Sequence, residues 1–190
     1  MLSKQSSVFV VLVLIAALIG MALVLLGKLP ALVFSVASIG GFVLWMLTTY
    51  KTPIDTQKII IPYLLTIIFF IVHVYEEYIT DFEVAMTDIT GFHMLEKNFL
   101  TVAAFVAPII WITGAILLIK RTHIGFYFLS FFYVAMMFAE LSHFIFPFLE
   151  DGTFHYVSGM YTAAIPLIPA GYGFYITMTE IKKKKALNDA

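Results

Sequence analysis

Cysteine is absent from this 190-residue chain. That excludes thiolate metal sites, iron–sulfur clusters, disulfide staples and cysteine nucleophiles. It leaves the redox compartment open, because a chain without cysteine suits either environment. Charge is also scarce. Asp, Glu, Lys and Arg make up 12% of the residues, about half the roughly 25% of an average soluble domain. The formal net charge of −1 offers no electrostatic footprint for nucleic acid. Eleven glycines are too few for a collagen-like repeat, and no internal repeat, low-complexity tract or linker is present, so residues 1–190 read as a single domain. What remains is apolar: 62% of the residues are hydrophobic. A soluble globule of this length cannot bury that much surface.

A helix needs about 20 apolar residues to cross the hydrocarbon core of a bilayer. Six runs qualify: Val8 to Gly27, Ala31 to Tyr50, Lys58 to Thr80, Asn98 to Ile119, Ile124 to Leu149 and Phe154 to Ile181. The expected fold is therefore all-α, a polytopic membrane helical bundle of about six transmembrane helices. The first two runs are joined only by Lys28, Leu29 and Pro30, which predicts a helical hairpin over 1–57. Residues 58–181 form a four-helix core that carries the site, with the hairpin packed outside it, and 182–190 form a basic tail. The first run is too long for a signal-peptide core and no small-residue cleavage site follows it, so it reads as a retained helix. Pro166 and Pro169 predict a kink or break within the sixth run.

Lys4, Lys51, Lys58, Lys120, Arg121 and Lys182 to Lys185, nine of the eleven basic residues, fall on one side of this arrangement. Lys28 and Lys97 fall on the other. The positive-inside rule then places both ends of the chain in the cytoplasm. Nine of the twelve acids sort to the opposite side: Glu76, Glu77, Asp81, Glu83, Asp88, Glu96, Glu140, Glu150 and Asp151. His73, His93, His143 and His155 accompany them. The segment from Asp81 to Lys97 mixes acids with Phe82, Met86, Ile89, Phe92 and Met94, the pattern of a short amphipathic or re-entrant cap. His93 and His123 read as loop residues.

Ionisable side chains within spans are costly and mark functional sites by default. His73, Glu76 and Glu77 stand at i, i+3 and i+4 and share a helix face. Adjacent carboxylates repel one another and need a cation, a proton or water to persist there. Glu140 and His143 repeat the Glu-x-x-His spacing that supplies ligands in carboxylate-bridged bundles. His155 begins a polar series, with Ser158, Gly159 and Thr162 at helical spacing and Tyr156 beside it. Asn98 and Thr101 start the fourth run at the same depth, placed to orient a ligand or bind substrate. The expected metal ligands are therefore His73, Glu76, Glu77, Glu140, His143 and His155. Asn98, Thr101, Tyr156, Ser158 and Thr162 complete the ring. Imidazole with carboxylate suits a divalent metal, zinc first and iron as the alternative, and the formal charges accommodate one or two ions. The competing readings are a water-exposed helix end for His73, Glu76 and Glu77, a structural hydrogen-bonded pair for Glu140 and His143, and a headgroup position for His155.

With these residues in place, the chain resembles the HXXEE-domain family of integral membrane proteins. His73, Glu76 and Glu77 match the name motif. His143 with Pro147 four residues on, and the segment Tyr156-Val157-Ser158-Gly159-Met160-Tyr161-Thr162, continue the resemblance over roughly residues 60–170. Ser158 stands where the family pattern has Pro. The resemblance implies a polytopic, metal-binding membrane protein, in a bacterial inner or plasma membrane, and supplies no substrate.

The leading functional expectation is a metal-dependent hydrolase. A zinc-like ion lowers the pKa of bound water towards about 7 and polarises a carbonyl or phosphoryl oxygen. A spare carboxylate, Glu77 or Glu76, takes the proton. The lipid bilayer is the partner, and an amphiphilic, lipid-like substrate enters from the outer leaflet. A carboxylate-bridged di-iron oxidoreductase uses the same ligands. A metal-ion or proton transporter fits less well, because the polar groups collect at one end. A non-catalytic, metal-stabilised accessory protein is the third class.

Overall fold

A computed structural model describes residues 2–150 and 152–189. Asp151, assigned above to the acidic end, lies outside the described residues. Their regular secondary structure is all helical, with no strand among the described residues. In chain order the helices are α1 (Lys4–Leu25), α2 (Lys28–Leu47), α3 (Gln57–Ile79), α4 (Phe82–Thr90), α5 (Glu96–Ile119), α6 (His123–Glu140), α7 (Phe146–Glu150) and α8 (Ala164–Asp189). Five of them, α1, α2, α3, α5 and α6, are long and apolar enough to cross a membrane. These five mark an integral membrane protein.

Local chemistry sets the helix ends. The Ser3 hydroxyl accepts from Ser6 N at 3.1 Å and caps α1. Thr122 does the same for Gly125 N at 3.0 Å and caps α6. Such caps satisfy amide groups that have no partner within the helix. The α1–α2 hairpin forms as expected, and its two helices pack on each other.

Two expected spans differ in extent. The fifth, expected to run from Ile124 to Leu149, stops at Glu140, and a turn around His143 separates it from α7. Pro147 has no N–H and weakens a continuous helix at that point, whereas the first turn of α7 accepts it without losing a hydrogen bond. The sixth does not start at Phe154. Residues 154–163 are irregular, and α8 begins at Ala164. Gly159 there has φ +87°, a conformation outside the right-handed helix. With 26 residues, α8 is long enough to span, but Pro166, Pro169, Glu180 and Lys182 to Lys185 dilute its apolar character. It packs lengthwise against α3.

The core is built around α6, which is buried on every side from Gly125 to Met136. Phe, Tyr, Leu and Val fill that stretch, so it has no polar face to turn outward. Small residues let its neighbours approach. A Cβ on Gly41 of α2 would lie 2.4 Å from Phe131 Cα, and one on Gly114 of α5 would lie 2.8 Å from Phe128 Cβ. In a membrane, helices associate largely through such close packing, since lipid supplies no hydrophobic drive between them.

Basic residues meet at one end of the bundle. Lys4 lies 5.3 Å over the Tyr50 ring, Arg121 pairs with Asp55, Lys58 pairs with Glu180 at 3.4 Å, and Lys184 donates to Pro53 O at 2.6 Å. His73 stands fifteen residues beyond Lys58 on α3, which places the acidic end about 22 Å away along the helix.

Candidate metal centre

Near the C-terminal end of α3, His73 and Glu77 face inward, where His143 meets them from the turn after α6. The His73 and His143 Nε2 atoms are 3.2 Å apart. Glu77 Oε1 lies 3.4 Å from His143 Nε2 and 3.7 Å from His73 Nε2. All three residues are buried, and this group could hold a metal ion. Glu140, 1% exposed, brings Oε2 to 2.9 Å from His73 Nε2.

Hydrogen bonds behind the rings determine which nitrogens carry protons. Thr162 Oγ1 donates to Glu76 Oε2 at 2.5 Å, which uses its only proton. Toward His73 Nδ1, 3.1 Å away, the same hydroxyl can only accept, so His73 carries its proton on Nδ1. His143 Nδ1 lies 2.9 Å from the Ser158 carbonyl, an acceptor, so this ring too is protonated on Nδ1. In the neutral form of each imidazole Nε2 is then a bare lone pair. Among the described residues Glu140 Oε2 has no neighbouring donor besides His73 Nε2, 2.9 Å away. With both rings neutral, two imidazole lone pairs and two carboxylates converge in a buried space. Buried polar groups in that state are strongly unfavourable unless a cation or proton joins them.

The triangle of Nε2, Nε2 and Oε1 has the size a metal requires. A tetrahedral site with ligand bonds of about 2.1 Å has edges of about 3.4 Å, and the edges here are 3.2, 3.4 and 3.7 Å. Phe82 of α4 and Phe146 of α7 pack on the His143 ring, at 5.5 Å and 5.3 Å between centroids. The expected cap over this end is thus α4, held beside the site.

Glu76 turns to a different task. Its Oε1 accepts from Tyr156 Oη at 2.9 Å and Tyr161 N at 3.1 Å. Its Oε2 accepts from Thr162 N at 2.7 Å as well as from the Thr162 hydroxyl. Four donors occupy this carboxylate and tie loop 154–163 to α3. Partial burial, together with the charge of Glu76, raises the Tyr156 phenol above its ordinary pKa. Gly159 is essential to the loop's course: a Cβ there would stand 2.6 Å from His143 Cε1 and 3.0 Å from His73 Cε1. The polar series from His155 to Thr162 therefore works as an irregular loop rather than a helical stripe. Its backbone takes a left-handed step at Gly159, and its amides go to Glu76.

Other expected site residues lie elsewhere. His155 faces the Thr153 carbonyl through Nδ1 at 3.1 Å and is not part of the His73, Glu77 and His143 group. Asn98 donates to Leu25 O at 3.2 Å, which ties α5 to the end of α1. Thr101 is exposed and donates to Lys97 O at 2.6 Å. Ser158 contributes its carbonyl to His143, and its hydroxyl meets that of Thr80 at 2.6 Å. Thr80 escaped the sequence reading; its place one turn after Glu76 was the available signal. The α1–α2 hairpin supplies none of the converging polar atoms. Leu26, Leu29 and Phe34 nevertheless line the apolar cavity against the site, so the hairpin is a wall of the site and not an outlying addition.

No family model, no curated protein and no solved structure matches this chain.

Proposed function

We propose that the chain is a membrane-embedded, metal-dependent hydrolase with a single ion held by His73, Glu77 and His143. One observation carries this reading: three lone pairs stand at ligand–ligand distances of 3.2, 3.4 and 3.7 Å, buried, with their protons assigned elsewhere. Three protein ligands of this kind leave a fourth position open, the pattern of catalytic rather than structural zinc. Zinc is the proposed metal, and iron is the alternative that the same nitrogen and oxygen donors allow. A bound ion supplies Lewis acidity at a carbonyl or phosphoryl oxygen. Glu140, beside the triangle at the His73 corner, is the carboxylate placed to take a proton from an attacking water and return it to the leaving group. Glu76 is unsuited to that work because donors already occupy both its oxygens. Thr162 and the Ser158 carbonyl hold the two rings in the ligand tautomer, with Glu76 behind Thr162.

The gathered lysines support placing their end, and with it both ends of the chain, in the cytoplasm. The metal centre then lies toward the outer leaflet of a bacterial inner or plasma membrane, where an amphiphilic substrate reaches it. The resemblance to the HXXEE-domain family belongs to this reading through His73, Glu76, Glu77 and His143.

Elemental analysis of detergent-purified protein, without added metal, tests the proposal. Wild type is expected to hold close to one zinc or iron per chain, and His143→Ala and Glu77→Gln less than about a tenth of that. The element found selects hydrolytic or oxidative assays. Equal metal in wild type and both variants, or none in wild type after gentle reconstitution, would overturn the assignment.

A further inference from the structure

Beside the four converging polar groups lies a cavity of about 140 Å³. His73, Glu77, Glu140, Ser142 and His143 form one end of its lining, and nearly everything else in the wall is apolar. The space exists because small side chains from three helices meet there: Ala37 of α2, Ala103 and Ala107 of α5, and Ala135 and Ala139 of α6. The backbone contributes as well. Helices α5 and α6 each contain a π-helical segment, Thr101–Val106 and Met136–Glu140. Both segments place residues in this wall, Val102 and Ala103 from one and Met136, Ala139 and Glu140 from the other. Such segments recur at functional sites because the extra residue re-aims the side chains around it. At the same wall Trp111 is 4% exposed, and its indole N–H finds no acceptor among the described residues.

The apolar part of a cavity of this size holds a group about as large as benzene, roughly six carbon atoms. It is too small for a full lipid chain. Resting on the metal-centre reading above, we infer that the substrate carries a short apolar arm of about six carbons or one ring, seated in this alanine-lined cavity, next to the polar group that reacts at His73, Glu77 and His143. The substrate class is thus a short-chain or aryl acyl compound and not a long-chain lipid. The alanines set its length limit, as a larger side chain at any of them occupies the space the arm needs.

The test uses straight-chain alkyl hydroxamates, whose head chelates a metal, on cobalt-loaded full-length protein, with binding read from the cobalt visible spectrum. Affinity is expected to rise about fourfold per methylene up to a tail of about six carbons, and then to level or fall. Ala107→Leu and Ala37→Leu, on different helices, are expected to keep their cobalt and to move the break two to three carbons shorter. Variant and wild type share one detergent, so partitioning of the probes cancels in the comparison. Cobalt retained with a tail dependence that is flat, or that climbs steadily to twelve carbons, would overturn the inference and leave the metal centre standing. So would retained cobalt with an unshifted break in both variants. Failure of the wild type to bind cobalt would overturn both.

Discussion

At the scale of the residue, two neighbouring carboxylates on one helix do different work. Adjacent side chains on an α-helix point about 100° apart, so Glu77 reaches the histidine pair while Glu76 reaches across to loop 154–163. The loop returns the service through Thr162, whose hydroxyl sits between Glu76 and His73. This predicts that Thr162→Val, which keeps the shape and removes the hydroxyl, frees the His73 tautomer. Metal affinity is expected to fall about 10- to 100-fold, measured by competition with a chelator of known strength. An unchanged affinity would mean that Thr162 does not set the tautomer. The spacing of His73, Glu76 and Glu77 was legible as a polar helix face. Which carboxylate turned inward was not, because helix rotation is set by the packing of α3 on α8 and α5.

At the scale of the element, α6 determines where the site can be. It is buried on every side from Gly125 to Met136, and the turn that follows it presents His143. Its position depends on close approach by α2 and α5. Replacing Gly41 with Leu should force α2 away from Phe131, whose Cα a mere Cβ would approach to 2.4 Å. Overpacking of this kind costs about 1–3 kcal/mol or more, and is expected to lower the apparent melting temperature in detergent. Gly20, with nothing near its Cβ position, is the control: Gly20→Ala should leave that temperature unchanged or slightly raised. A Gly41→Leu protein as stable as wild type would remove the tight α2–α6 contact from the account of the fold. Hydropathy located α6 but extended it to Leu149. Apolar composition continues past Glu140, whereas the continuous helix gives way to a turn at 143–145. The loop at 154–163 was misplaced for the same reason, since its apolar residues mimic the start of a span.

For the molecule as a whole, the separation of cationic and His/Glu ends gives a definite orientation to test. The natural chain contains no cysteine, so single cysteines can be introduced without background. Thr153→Cys lies in an exposed stretch at the His/Glu end, and Lys185→Cys in an exposed stretch at the lysine-rich end. An impermeant thiol reagent applied to intact cells should label the first and spare the second, which should react only after permeabilisation. The reverse pattern would invert the orientation and move the proposed substrate entry to the cytoplasmic leaflet. Metal content does not depend on sidedness, so the proposed ligands would survive that result.

The sequence by itself determined the all-helical membrane class, the hairpin, the distribution of charge between two ends, and a shortlist of His and Glu side chains near one of them. Each of these follows from composition, apolar run length or spacing within one helix, properties that need no knowledge of neighbours. Tertiary structure decided the site itself. It turned Glu77 rather than Glu76 toward the histidine pair, set His155, Asn98 and Thr101 apart from that pair, and gave the two imidazoles their Nδ1 partners, Thr162 and the Ser158 carbonyl. It also left a cavity where alanines from three helices meet. These outcomes join residues as much as 89 positions apart. They depend on how helices rotate and how closely they pack, and a linear pattern does not carry that information.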